Sequence, residues 1–205
     1  MEKKIIYIFL IVLFFGCNND YEFIEVKNDD GQLIERYQRR KEDNKRFGKY
    51  EAFDEEGKLI EAANYQNDTL DGKRIIYFEN GQPQYIEQYN NGKFVDTYSA
   101  FYPSGQLKLQ GEYNSGSMNG EWKGYHENGQ LKEVVIFENN EENGPFIEYH
   151  PNGKLAAEGS YLNGDNEHGE LKLYDEQGEL IKTMNCDKGI CRTSWLREDQ
   201  KTKKS

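Results

Sequence analysis

The sequence predicts an all-β chain, an elongated antiparallel β-meander built from hairpin repeats of about 24 residues. Three observations carry this. Gly57, Gly81, Gly105, Gly129 and Gly153 follow one another at steps of 24 residues, with Gly31 a step of 26 before them and Gly178 a step of 25 after. Large apolar residues recur in phase with those glycines. No stretch holds an i, i+3, i+4 apolar pattern of helical length, so helix is expected at most near the C-terminus.

Before the repeats, Met1–Gly16 reads as a signal peptide. Lys3 and Lys4 give a positive start, and Ile5–Phe15 is an apolar run too short to span a bilayer comfortably. It ends in Leu13-Phe14-Phe15-Gly16-Cys17, which looks like a lipoprotein processing site. Cys17 would then become the lipidated N-terminus, with residues 17–21 a polar tether. The alternative is an ordinary secretory signal or uncleaved anchor carrying an incidental cysteine.

Residues 22–196 form the expected array. With each glycine as position 0, position +2 is Leu33, Leu59, Pro83, Leu107, Leu131, Leu155 and Leu180. Position +8 is Tyr65, Tyr89, Tyr113, Phe137 and Tyr161. A second glycine falls near +15, at Gly48, Gly72, Gly120, Gly144 and Gly169, with Asp96 the exception. Near +17 stand Tyr50, Tyr98, Trp122, Phe146 and Leu171, and Arg74 breaks that set. Near +20 stand Phe53, Tyr77, Phe101, Tyr125, Tyr149 and Tyr174.

Asn-Gly, Asp-Gly and Glu-Gly pairs supply the positive φ of tight hairpin turns, and the segments between turns are of strand length and rich in Tyr, Phe, Ile and Val. Positions +17 and +20 differ in parity, so an ideal strand points them to opposite faces. Either a bulge near the second glycine restores one face, or both faces carry aromatic ladders.

The phrases Glu127-Asn-Gly-Gln-Leu-Lys, Pro151-Asn-Gly-Lys-Leu-Ala and Gly120-Glu-Trp-Lys-Gly-Tyr125 resemble MORN-type repeats, more closely the bacterial variant of the YwqK-type antitoxin family. The resemblance covers Gly31 to about Ile181, with Glu22–Asp30 a weak half-unit before it. It implies a repeat scaffold for binding, or an antitoxin or immunity protein that neutralises a toxin. Asp96, Pro83 and Arg74 depart from the pattern, so the second and third units are expected to be distorted.

After the array, Cys186 and Cys191 frame a short glycine-containing loop. An exported chain meets an oxidising compartment, so a disulfide stapling the last unit is expected. Two free thiols in a terminal hairpin are the alternative, and a metal site has no other ligands nearby. Arg197–Ser205 reads as a disordered polar tail.

The formal charge is −11, and removing Met1–Gly16 takes away two lysines and one glutamate, leaving −12. That balance offers nothing to nucleic acid or to anionic lipid headgroups. Membrane attachment is therefore assigned to the acyl chains, and the compartment to the bacterial cell envelope.

Nothing in the sequence points to catalysis or to a cofactor. His126 and His150 both hold position +21 and belong to the repeat, while His168 reads as a turn residue. Asp165–Glu170 lacks the spacing of a calcium loop. The expected function is non-catalytic binding of a protein partner, an antitoxin role being the alternative and a glycan-binding or carbohydrate-processing role less favoured. Tyr98, Trp122, Tyr125, Phe146 and Tyr149 are the candidate contact residues. Their competing reading is the core of the repeats.

Overall fold

A computed structural model describes residues 8–9 and 20–201. The chain divides into two compact units, meeting in sequence at Gly105–Gln106. Both are antiparallel β-meanders, as the glycine period predicts.

In the first unit, β1 (Ile8–Phe9) pairs with β2 (Tyr21–Lys27), and the chain continues through β3 (Leu33–Arg40), β4 (Arg46–Phe53) and β5 (Leu59–Gln66). The next strand is interrupted at Asp71, giving β6 (Thr69–Leu70) and β7 (Gly72–Tyr77), and both halves pair with β5. Then β8 (Pro83–Asn90) pairs with β7 and with another divided strand, β9 (Lys93–Phe94) and β10 (Asp96–Phe101). The two divided strands fall in the units whose Arg74 and Asp96 break the pattern. Pro83 opens β8, a position where its missing N–H costs no ladder bond.

The second unit runs β11 (Leu107–Asn114), β12 (Ser117–Tyr125), β13 (Leu131–Glu138), β14 (Glu141–Tyr149), β15 (Leu155–Tyr161), β16 (Gly169–Tyr174), β17 (Leu180–Asp187) and β18 (Ile190–Leu196). Each strand pairs with its successor.

Two turn types alternate. At the repeat glycines, Gly129 N–H donates to His126 O and His126 N–H to Gln130 O, both at 2.8 Å, closing a three-residue loop with Gly129 at φ +84°. At positions +10 and +11 stand two-residue turns with both φ positive: Asn67-Asp68, Asn91-Gly92, Ser115-Gly116 and Asn139-Asn140. This is the type I′ geometry that matches strand twist. The second glycine is therefore not a turn. Gly120 (φ +72°) and Gly144 (φ +106°) sit inside β12 and β14, where the register slips, and Asp96 (φ +55°) adopts the same left-handed backbone.

Side-chain bonds from asparagine lock three of the loops to the next. Asn128 accepts Gln130 N–H at 3.0 Å and donates through Nδ2 to Pro151 O at 2.7 Å. Asn152 repeats the pair one unit later, reaching Glu176 O at 2.6 Å. Asn80 does the same toward Pro103 O at 2.7 Å. His126 and His150 extend the ladder, since Nε2 of each donates to a backbone carbonyl, Tyr149 O at 2.8 Å and Tyr174 O at 3.1 Å. The asparagine of each Asn-Gly phrase therefore acts between units as well as within its own turn.

At the C-terminus, Cys186 and Cys191 are opposite one another in the β17–β18 register and form a disulfide. The expectation of a disordered tail needs correcting for its first residues. Arg197 pairs with Asp175 at 2.8 Å, Glu179 at 3.2 Å and Asp199 at 2.8 Å, and α1 (Glu198–Lys201) follows it as one helical turn. An arginine held by three carboxylates has a fixed position that composition alone does not reveal.

Candidate interaction surface

The two faces of each sheet differ in kind. In the second unit one cross-strand row runs Trp122, Val135, Phe146, Gly159. Trp122 is 2 % exposed and Phe146 4 %. Val135, Phe146, Ala157, Leu171 and Cys186 form a continuous buried cluster, with Phe137, Tyr161, Leu173 and Met184 packed against it. Tyr113 and Phe137 meet Trp122 edge-on, and Tyr161 stacks on Phe146 at 4.4 Å between centroids. Such ring pairs are worth about 0.5–1.5 kcal/mol beyond their buried area.

The large rings fit because glycine stands opposite them at position +6. A Cβ on Gly111 would lie 2.1 Å from Cδ2 of Trp122, and one on Gly159 2.8 Å from Cε1 of Phe146. These two glycines were not singled out in the sequence, although both fall six residues after a repeat glycine.

The first unit builds the same row as Tyr37, Tyr50 and Ala63, then departs from it. Arg74 occupies the aromatic slot and lies opposite Glu87. Its Nε meets Glu61 at 2.7 Å and its Nη1 meets Glu87 at 3.1 Å, while the Tyr89 hydroxyl donates to Glu87 at 3.1 Å. Glu87 is 7 % exposed. Burial opposes the charge on Arg74, but its hydrogen bond to Glu61 and the charges of both carboxylates outweigh it, so its pKa is raised. Burial and the Glu87 charge also raise the pKa of Tyr89.

The opposite face is amphipathic and more open. Its row in the second unit reads Lys123, Val134, Ile147, Glu158, Lys172, Thr183, Trp195. The +20 aromatics lie on this side. Tyr174 donates its hydroxyl to Glu158 at 2.8 Å, and Lys172 meets the same carboxylate at 3.1 Å. In the first unit the Arg36 guanidinium sits 5.8 Å over the Phe53 ring and pairs with Glu51. Tyr125 and Tyr149 follow register slips equivalent to those before Tyr174 and Phe53.

Of the two geometries open from sequence, both faces carrying aromatics is therefore the one adopted. The bulge at the second glycine is present as well, but it does not bring +17 and +20 to one side.

The candidate contact residues separate accordingly. Trp122 and Phe146 belong to the core, so they are corrected from contact residues to packing residues: Gly111, Tyr113 and Phe137 enclose Trp122, and Gly159 and Tyr161 pack on Phe146. Tyr98 is half-buried, with Tyr85 and Phe94 against it at 6.2 and 6.4 Å. Tyr125 and Tyr149 are half-buried on the amphipathic face. Trp195, 45 % exposed, ends that face's row. It falls 17 residues after Gly178, in the slot that holds Trp122 and Phe146, but the register shift beside Thr183 turns it to the amphipathic face.

Carboxylates also gather on the core face. Glu133 and Glu148 are opposite one another, and burial followed by the Glu133 charge raises the pKa of Glu148. Tyr161 nearby is pushed up to about 12, by burial first and then by the charges of Glu142 and Glu148. Among the described residues, no group of three or more His, Cys, Asp or Glu side chains is arranged to hold a metal ion. No helix of the described residues is long and apolar enough to cross a membrane. Cys17 and the rest of the proposed processing site lie outside the described residues.

The MORN repeat variant matches five successive segments, residues 48–67, 70–91, 97–115, 118–139 and 142–163. Together they span more than half of the chain. This chain is a MORN-repeat protein. Each matched segment begins close to the second glycine and ends near the two-residue turn of the following unit, so the matched unit and the structural hairpin coincide. MORN repeats suggest a repeat-based binding scaffold and are in general non-catalytic. No curated protein matches the chain.

Proposed function

We propose that this MORN-repeat chain is a lipid-anchored protein of the bacterial envelope that binds a protein partner through the amphipathic face of its sheets and performs no catalysis. The observation carrying this is the division of labour between faces. Trp122 and Phe146 are spent on the core, while the opposite side presents Tyr125, Tyr149, Tyr174 and Trp195 among ion pairs at regular spacing. Half-buried aromatics flanked by charge are a favourable composition for recognition. The anchor is supported by the Lys3-Lys4 start, the short apolar run and the small residue before Cys17.

A toxin is the partner class that the resemblance to the YwqK-type antitoxin family suggests. The acidic balance of the chain suits a basic one, since opposite charge speeds encounter.

Affinity capture from native cells should be run with the full chain and with Tyr125→Ser and Tyr149→Ser variants of unchanged melting temperature. The reading holds if a stoichiometric partner of the wild type is lost with those variants. It fails if the partner is retained by both, and a toxin among the captured proteins would establish the antitoxin role.

A further inference from the structure

Three residues, Asn18–Asp20, separate the proposed lipidated cysteine from β2, the first strand left once Met1–Gly16 is cleaved. An extended chain covers at most about 3.6 Å per residue, so Tyr21 stands no more than about 14 Å from Cys17. A headgroup layer is itself roughly 5–7 Å thick. An anchor this short cannot hold the protein clear of the bilayer, and whatever lies beside Tyr21 meets the lipid surface.

The tip of the β3–β4 hairpin lies there. Tyr21 is opposite Arg40 in the register, and Lys41 N–H donates to Asp20 O at 2.8 Å. The Tyr21 ring stacks on Phe47 at 4.6 Å, and Phe23, two residues along β2, is 58 % exposed.

Between Gln38 and Lys49 the chain carries six cations (Arg39, Arg40, Lys41, Lys45, Arg46, Lys49) against Glu42 and Asp43, with Glu22 and Asp68 alongside from the flanking strand and turn, so the tip keeps a small positive balance in a protein whose overall charge is −11. Arg39, Arg40 and Arg46 are engaged by Glu22, Asp43 and Asp68. Lys41, Lys45 and Lys49 are exposed, with Lys45 3.6 Å from the Asp43 carboxylate. All of the tip except Gly48 and Lys49 precedes the first segment matched as a MORN repeat, residues 48–67.

We infer that this hairpin tip is the membrane-contacting end of the protein, with Lys41, Lys45 and Lys49 against anionic phospholipid headgroups and the Tyr21, Phe23 and Phe47 rings at the interface. Amphipathic rings and lysines are suited to that layer, and basic residues near an anionic leaflet are attracted within a Debye length. Whole-chain charge argues against headgroup contact only because it averages over this local excess. The inference rests on the lipid anchor proposed above.

The test is lysine acylation by a water-soluble reagent, read by peptide mass, on the full lipidated protein. It is reconstituted in phosphatidylcholine vesicles with and without phosphatidylglycerol, and a Cys17→Ser soluble form is the reference. Lys41 and Lys45 should lose reactivity several-fold on vesicles, and further with phosphatidylglycerol. Lys58, beyond the far end of β4, should not change. A Phe23→Ser, Lys41→Glu, Lys45→Glu variant, altered only at exposed positions, should stay anchored while Lys49 regains reactivity.

Unprotected Lys41 and Lys45 in a lipidated protein would overturn the orientation alone. Equal protection with and without phosphatidylglycerol would overturn the role of headgroup charge. An N-terminal peptide lacking the lipid mass at Cys17 would overturn the anchor, and the tether argument with it.

Discussion

Gly111 stands against the face of Trp122 so closely that a single added methyl would sit 2.1 Å from the ring. Gly111→Ala should therefore destabilise the second unit by about 1–3 kcal/mol, because the ring must leave its place between Tyr113 and Phe137. Chemical denaturation followed by tryptophan fluorescence checks it, and an unchanged midpoint would contradict the packing described.

Arg74 is expected to behave as a half-buried cation with one buried partner, Glu87. Arg74→Ala leaves Glu61 and Glu87 without their shared cation and should cost roughly 1–3 kcal/mol. Combining Arg74→Tyr with Glu87→Ala restores the aromatic-and-small pairing of Tyr50 with Ala63, and should recover most of that loss. Melting the single and double variants decides between an essential network and a replaceable one.

Glu148 sets a pH dependence of definite sign. Its folded pKa is raised by burial first and by the Glu133 charge second. The folded state therefore binds more protons than the unfolded state above the ordinary glutamate pKa, and stability falls as pH rises through the folded value. Glu148→Gln should raise the neutral-pH melting temperature and remove part of that fall. Glu158 acts oppositely. Hydrogen bonds from Tyr174 and Lys172 lower its pKa, so its contribution is present at neutral pH and is lost on acidification. A Tyr174→Phe variant should show a shallower acid limb in the same titration.

The terminal hairpin should depend on its disulfide. A loop of this length predicts about 2 kcal/mol from the crosslink. Hydrogen exchange in β17 and β18 is expected to speed up on reduction while β12 and β13 stay protected. Uniform exchange across the unit would show that the bridge does not act locally.

Much of this architecture could be read from the residues, and the limits have physical causes. The glycine interval located every three-residue loop, because only a residue tolerant of φ near +80° closes that turn. The second turn of each hairpin is harder to place, since Asn67-Asp68, Ser115-Gly116 and Asn139-Asn140 share conformation but not one sequence phrase.

The faces of Trp122 and Tyr125 could not be assigned in advance, because strand parity cannot be carried through a bulge without knowing how many residues it absorbs. Burial of Trp122 follows from Gly111 on a neighbouring strand, a pairing visible only once the register is known. Arg74 looked like a defect in the repeat and is instead a substitution of charge for aromatic area, its compensation lying in Glu61 and Glu87.

The asparagine bonds between loops also bear on how such an array can change in length. Asn128 reaches Pro151 and Asn152 reaches Glu176 by spanning one unit each. Duplicating or deleting a whole unit preserves every such reach, and the Asn152 bond is kept across an interval one residue longer because the extra residue lies between β15 and β16, away from the bonded loops. The array should therefore change length by whole repeats or by residues added away from the bonded loops, and the intervals that are two residues longer after Gly31 and one longer before Gly178 fall at the two ends of the series.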